Sequence, residues 1–312
     1  MHIDIYVILA GLIVGFVVGM TGMGGGALMT PILVLFFRVQ PLAAVSSDLV
    51  ASLIMKPFGG AVHVRRHTVN WALAGWLMLG SVPCAFAGVL ILRLAGRGQT
   101  VQDVVQLGLG IALLLAVLAI ILKLLLTVGR PLGTTRSSRI KLRPLPTIAI
   151  GAIGGFIVGM TSVGSGSLII VLLLFLYPAL RAQSLVGTDL VQAVPLVGSA
   201  ALGHVLFGDL HMSITISIII GSIPGVLLGA TVSSRAPGSV TRPALAFVLL
   251  ATGLKLVHAS NLVLGLSLGA ALVIGAAVLV LFRASRVRHA GRAEHVESRL
   301  APVGLDTSSQ TR

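Results

Sequence analysis

Nine apolar runs, at 5–37, 42–63, 71–93, 103–128, 145–177, 183–207, 212–234, 241–258 and 260–282, divide this chain and leave little sequence between them. Most of them have the length a helix needs to cross ~30 Å of hydrocarbon. Strands of a transmembrane barrel would alternate apolar and polar residues with period two, and these runs do not. With 56% apolar and 10% charged residues and a mean hydropathy of +1.07, a soluble domain is excluded and an all-α polytopic membrane protein is expected. The opening stretch MHIDIYVILAGLIVGF has neither a basic leader nor a small-residue cleavage site, so it is read as structure and not as a signal peptide. The single Cys84 excludes an internal disulfide framework.

A net charge of +14 raises the question of nucleic acid, and the position of the charges answers it. Arg130, Arg136, Arg139, Lys141 and Arg143 fill a hydrophilic linker at 129–144, and Arg283, Arg286, Arg288, Arg292, Arg299 and Arg312 lie in a tail at 283–312. Basic segments between and after spans are topology signals, so both are expected in the cytoplasm and no nucleic-acid partner is expected. The tail lacks periodic apolar residues and reads as disordered.

The chain repeats itself. Residues 15–28 match 155–168 at nine of fourteen positions with an offset of 140, and one inserted residue later the offset becomes 141. At that offset SDLV (47–50) meets TDLV (188–191), His63 meets His204, and GSVP from Gly80 meets GSIP from Gly221. Charge then orients the copies. The loop with Arg65, Arg66 and His67 reads as internal, whereas the equivalent loop around Gly208–His211 has Asp209 and no Arg or Lys, and reads as external. The halves, 1–128 and 145–258, are therefore expected to be inverted repeats, with an additional transmembrane helix at 259–282.

That parity requires 5–37 and 145–177 each to make an even number of crossings. As one helix, 5–37 would run roughly 50 Å, too long for a single span without steep tilt. The glycine clusters GMTGMGGGALMTP (19–31) and GMTSVGSGSLII (159–170) divide each run into two pieces, a re-entrant hairpin or two short spans. Glycines can also serve only to let helices pack closely. Broken helices in inverted repeats are, however, the arrangement in which secondary transporters bind substrate. In each copy a second helix follows the glycines, and helix N-termini attract anions. Thr21, Gly24, Gly25 and Gly26 in the first copy and Thr161, Gly164, Ser165 and Gly166 in the second, with Ser167 beside them, are the candidate substrate-binding residues.

Of eight acidic residues, Asp48 and Asp189 lie inside apolar runs, and they are repeat mates. Carboxylates within a membrane are costly and read as functional, here as proton-coupling or gating candidates. Capping of their helices is the alternative. His63 and His204 join them as candidates, their other reading being polar tips at the membrane interface. Lys56, mid-span and without a mate, is the candidate counter-charge for an anion, or else pairs with a carboxylate or snorkels.

GFVVGMTGMGGGALMTPIL, SSDLV, His63, VNW and GSVPCAFAG, followed by GDLHM and GSIPGVLLGA, together resemble the TauE/SafE family of sulfite exporters, over about 5–258. The resemblance implies a cytoplasmic-membrane transporter of small organosulfur or sulfur oxyanions such as sulfite, sulfonates or sulfoacetate. An anion channel is the alternative, and an intramembrane hydrolase built on Ser165 and His204 fits less well because Gly25 stands opposite Ser165. The expected function is thus alternating-access transport of a small anion, with proton coupling open, in a multi-pass cell-membrane protein with a cytoplasmic C-terminus. The lipid bilayer and the anion are the expected partners, and no metal or cofactor is expected.

Overall fold

The computed structural model describes residues 4–21, 25–96, 98–127, 142–178, 180, 182–233, 238–260 and 262–270. They form α1 (Ile5–Thr21), α2 (Gly26–Leu35), α3 (Pro41–Arg65), α4 (Trp71–Leu94), α5 (Gln99–Thr127), α6 (Pro144–Thr161), α7 (Leu168–Leu176), α8 (Ala182–Phe207), α9 (Met212–Ser233) and α10 (Gly238–Leu256). No strand occurs among the described residues. Residues through Leu264 make one compact unit, and in the second, from Gly265, residues 265–270 are described and helical. The expected extra helix at 259–282 is described only to residue 270. Most of the linker and the whole tail lie outside the described residues.

Among the described residues, α3, α4, α5, α6, α8 and α9 are long and apolar enough to cross a membrane. The runs 5–37 and 145–177 each appear as two helices. At ~1.5 Å per residue, the 10 residues of α2 and the 9 of α7 reach about half of the ~30 Å hydrocarbon thickness. The end of α6 has an identifiable cause. Thr161 Oγ1 donates to the Ile157 carbonyl at 2.7 Å and accepts the Val163 N–H at 3.2 Å, and Ser162 enters the left-handed region at φ 61°. Gly164 at φ +130° and Gly166 at φ +92° continue the turn in conformations that side chains resist. Helix α7 then begins with the Leu168 N–H donating to Gly164 O at 3.1 Å.

Glycine faces bring the helices together in two matching pairs. A Cβ at Gly80 or Gly88 of α4 would run into the carbonyls of Ile148 or Phe156 on α6. A Cβ at Gly221 or Gly229 of α9 would run into those of Ile8 or Phe16 on α1. Each residue in the first set is the repeat counterpart of one in the second, and in both pairs the numbers rise together, so α4 runs parallel to α6 and α1 to α9. Without a hydrophobic drive between helices in lipid, this backbone approach supplies the van der Waals contact that holds them.

Helices α3 and α8, themselves repeat mates, pack antiparallel. Ser46 near the start of α3 meets His204 near the end of α8 at 2.8 Å, and Gly187 near the start of α8 lies against His63 near the end of α3. Their shared interior is polar: Ser46, Ser47, Asp48, Ser52 and Lys56 from α3 and Thr188, Asp189, Gln192 and His204 from α8 are all buried. Ile13, Leu79, Leu118, Leu202 and Leu227 point outward. An apolar exterior around a polar centre is the distribution expected when lipid is the solvent.

Candidate substrate site

Helix α3 carries two buried charged groups, Asp48 and Lys56. Asp48, 0% exposed, accepts hydrogen bonds at Oδ2 from Ser162 Oγ at 2.6 Å and Thr30 Oγ1 at 3.0 Å. One carboxylate oxygen thereby ties α3 to α2 and to the turn between α6 and α7. Its Oδ1 is buried without a hydrogen-bond partner among the described residues. Two turns further along α3, Lys56 is 8% exposed and donates from Nζ to Ser165 Oγ at 2.6 Å. Its ammonium also interacts electrostatically with Asp189 and Asp48.

The two glycine segments meet beside these groups. Gly26, the first residue of α2, abuts the Ser162 backbone so closely that a Cβ there would overlap the Ser162 carbonyl. At Gly25 a Cβ would lie 3.1 Å from Met55 Cε and 3.8 Å from Ser52 Oγ, a buried hydroxyl without a hydrogen-bond partner among the described residues. The structure thus brings together Gly25, Gly26, Ser165, Lys56 and Asp48, with Gly164 and Gly166 on either side of Ser165. Gly24 lies outside the described residues, and Thr21 is the last residue of α1. Thr161 gives its hydroxyl to the local backbone.

Asp189, 1% exposed, accepts from Gln192 Nε2 at 2.9 Å, and Gln192 Oε1 accepts from Ser81 Oγ of α4 at 3.0 Å. Asp48 and Asp189 each lie about two turns inside their helices, beyond the first turn whose N–H groups a cap would serve. The two histidines differ. His63 is partly exposed, with Nδ1 2.9 Å from Thr68 Oγ1. His204 is 0% exposed, with Nδ1 facing Ser46 Oγ and Nε2 2.8 Å from the Gly159 carbonyl, so it is an interior link between α3, α6 and α8 rather than an interfacial tip. Ser165 meets Lys56 and His204 meets Ser46 and Gly159, so the Ser165/His204 pair of the hydrolase alternative is not assembled.

Sequence reasoning missed Thr30, Ser162, Ser52 and Gln192. Thr30 and Ser162 stand inside the quoted glycine segments, and Gln192 is a lone amide in an apolar run, so hydrogen-bonding side chains within spans were the available signal. The assembled group comprises the Lys56 ammonium, the Ser165, Ser162 and Thr30 hydroxyls and the Asp48 carboxyl, beside the starts of α2 and α7.

A family described as sulfite exporter TauE/SafE matches residues 7–256. The chain is 39% identical over 260 residues to the probable membrane transporter protein YjnA of Bacillus subtilis (strain 168), covering 81% of this chain and 100% of that protein. It is 30% identical over 95 residues to the probable membrane transporter protein YunE of the same organism, covering 30% of this chain and 33% of that protein. No solved structure matches it.

Proposed function

The chain belongs to the sulfite exporter TauE/SafE family and is a multi-pass membrane transporter, and from that premise we propose that it moves a small sulfur oxyanion, of the sulfite, sulfonate or sulfoacetate type, by alternating access between two inverted repeats. The observation that carries this reading is the meeting of the two glycine segments at Gly26 and Ser162, with the Lys56 ammonium on Ser165 beside them. Glycine permits close approach of the backbone, and the charge and hydroxyls give an anion its partners.

Helix directions support the inversion of 1–128 relative to 145–258. Helices α3 and α4, like α8 and α9, are joined by short loops across which the chain turns back, and α4 runs parallel to α8, with Ser81 on Gln192 and the Val82 carbonyl on Ser199. With α3 antiparallel to α8, α1 parallel to α9 and α4 parallel to α6, each helix of the first half opposes its mate in the second. Helix α2 then returns part of the way across after α1, as α7 does after α6, which favours re-entrant segments over pairs of short spans. The linker 129–144 and the tail 283–312 face the cytoplasm of the cell in this arrangement. Single cysteines at Arg66 and Asp209, in a Cys84→Ser background, are expected to label with an impermeant maleimide from opposite sides of the membrane. Labelling from one side would refute inversion.

Asp48 and Asp189 form the proton-coupling pair of this mechanism, with His63 and His204 as gating residues at opposite ends of α3 and α8. A coupled proton must bind the two access states with different affinity, and Asp48 sits where both halves meet. The test is uptake and efflux of labelled sulfite, sulfonates and small carboxylates in reconstituted vesicles. Saturable flux of the sulfur anions is expected, driven by a pH gradient. Asp48→Asn and Asp189→Asn should retain anion exchange and lose gradient-driven accumulation. Flux that does not saturate would favour a channel, and flux of carboxylates alone would reassign the substrate.

A further inference from the structure

A second polar region lies at the end of the bundle where α3 begins and α8 ends, away from Arg65 and His63. It is a cavity of about 470 Å³ lined by residues of the loop before α3, the end of α4, the start of α5 and the end of α8, among them Gln40, Arg93, Gln99, Gln102, His204 and Asp209. Arg93 is the permanent cation of this lining. Its guanidinium carbon lies over the Phe207 ring, 4.1 Å from the centroid, and the side chain makes no hydrogen bond or ion pair to another described residue. Contact with the ring face anchors the cation without using its N–H donors, which are left for the two-pronged contact that arginine makes with oxyanions. The one carboxylate of the lining, Asp209, lies 3.5 Å from His211 Nε2. Gln102 accepts the Leu42 N–H at 3.0 Å and donates to Gln40 Oε1 at 3.2 Å, which fixes a wall of amides beside the start of α3.

His204 joins this cavity to the interior. It lines the cavity, is itself fully buried, and contacts the Gly159 carbonyl at 2.8 Å through Nε2. Gly159 precedes by three residues Ser162, the hydroxyl on Asp48. We propose that this cavity is an anion vestibule, with Arg93 as an outer subsite that collects a small oxyanion, of sulfonate or sulfite type, before it passes His204 to the inner site. The assignment of the anion class rests on the transport reading above, while the cationic character of the subsite rests on Arg93 and its setting alone.

The experiment uses the full-length protein in sealed vesicles with Gln99→Cys in a Cys84→Ser background. Two maleimides of similar size, one sulfonated and one bearing a quaternary ammonium, are compared, each normalised to its rate with a free thiol. The sulfonated reagent is expected to react several-fold faster, millimolar sulfoacetate to slow it, and Arg93→Gln to remove both effects. Because Arg93 is exposed, its replacement leaves the core packing intact. In flux assays Arg93→Gln should raise KM about tenfold, the scale of one lost charge-assisted hydrogen bond, with maximal flux within about twofold, and Arg93→Lys should recover part of the loss. No charge preference at Gln99→Cys, or an unchanged KM in Arg93→Gln, overturns the vestibule while leaving the transport reading standing. If the unsubstituted protein moves no sulfur anion but labelling keeps its Arg93-dependent preference, the transport reading fails and the subsite remains.

Discussion

Gly26→Ala is expected to eliminate transport and to lower the stability of the purified protein by about 3 kcal/mol, the upper part of the range for overpacking. The added methyl would fall on the Ser162 carbonyl, and backbone has no rotamer through which to yield. Relief requires moving the α2 start away from the α6–α7 turn, which would also disturb Thr30 and Ser162, the two hydroxyls on Asp48. Gly25→Ala is the internal control. Its methyl would meet Met55 Cε at 3.1 Å, the end of a flexible side chain that can move aside, so folding and most of the flux should survive. Gly25→Leu adds more bulk than Met55 can accommodate and should leave inserted, folded protein without flux. Thermal unfolding in detergent and vesicle flux separate the three variants. Equal behaviour of Gly25→Ala and Gly26→Ala would mean that the two segments do not touch.

Lys56→Met should cost the site more stability than either glycine change and should also weaken its hold on an anion. It removes the cation that bonds Ser165 at 2.6 Å and interacts with both Asp189 and Asp48. Removing one partner from a buried charge group costs about 3–5 kcal/mol because the remaining charge is left uncompensated. Loss of the charge-assisted contact to an anion should cut flux at low substrate by about 10–100-fold. Adding Asp48→Asn to Lys56→Met tests the cause. The neutral amide retains an oxygen for Thr30 and Ser162, so part of the stability should return, Asp189 still lacking its cation, while transport does not. If the double variant is no more stable than Lys56→Met, charge imbalance is not what Lys56 corrects; if it regains transport, Lys56 serves the fold rather than the anion.

The substitutions act where sequence and tertiary structure contribute differently. Long apolar runs made the helical membrane class legible, because a helix satisfies its own backbone and its length follows from the thickness of the bilayer, and the glycine-rich segments at 15–28 and 155–168 were among the residues that carried the family. SVGSGS stands between α6 and α7, and its Gly164 and Gly166 adopt φ values that other residues resist. Asp48, Asp189 and Lys56 stood out because charge inside an apolar run is expensive. None of this said what those charges touch. Ser162 reaches Asp48 across 114 positions and Ser165 reaches Lys56 across 109, distances over which no sequence period operates. His204 reads in the sequence as a residue near the end of a span, yet the antiparallel packing of α3 and α8 buries it between Ser46 and Gly159. Which segments are apolar helices, and which residues are too polar for lipid, follows from the order of residues alone. Which of those residues share one interior depends on packing, on how the glycine faces dock α1 on α9 and α4 on α6.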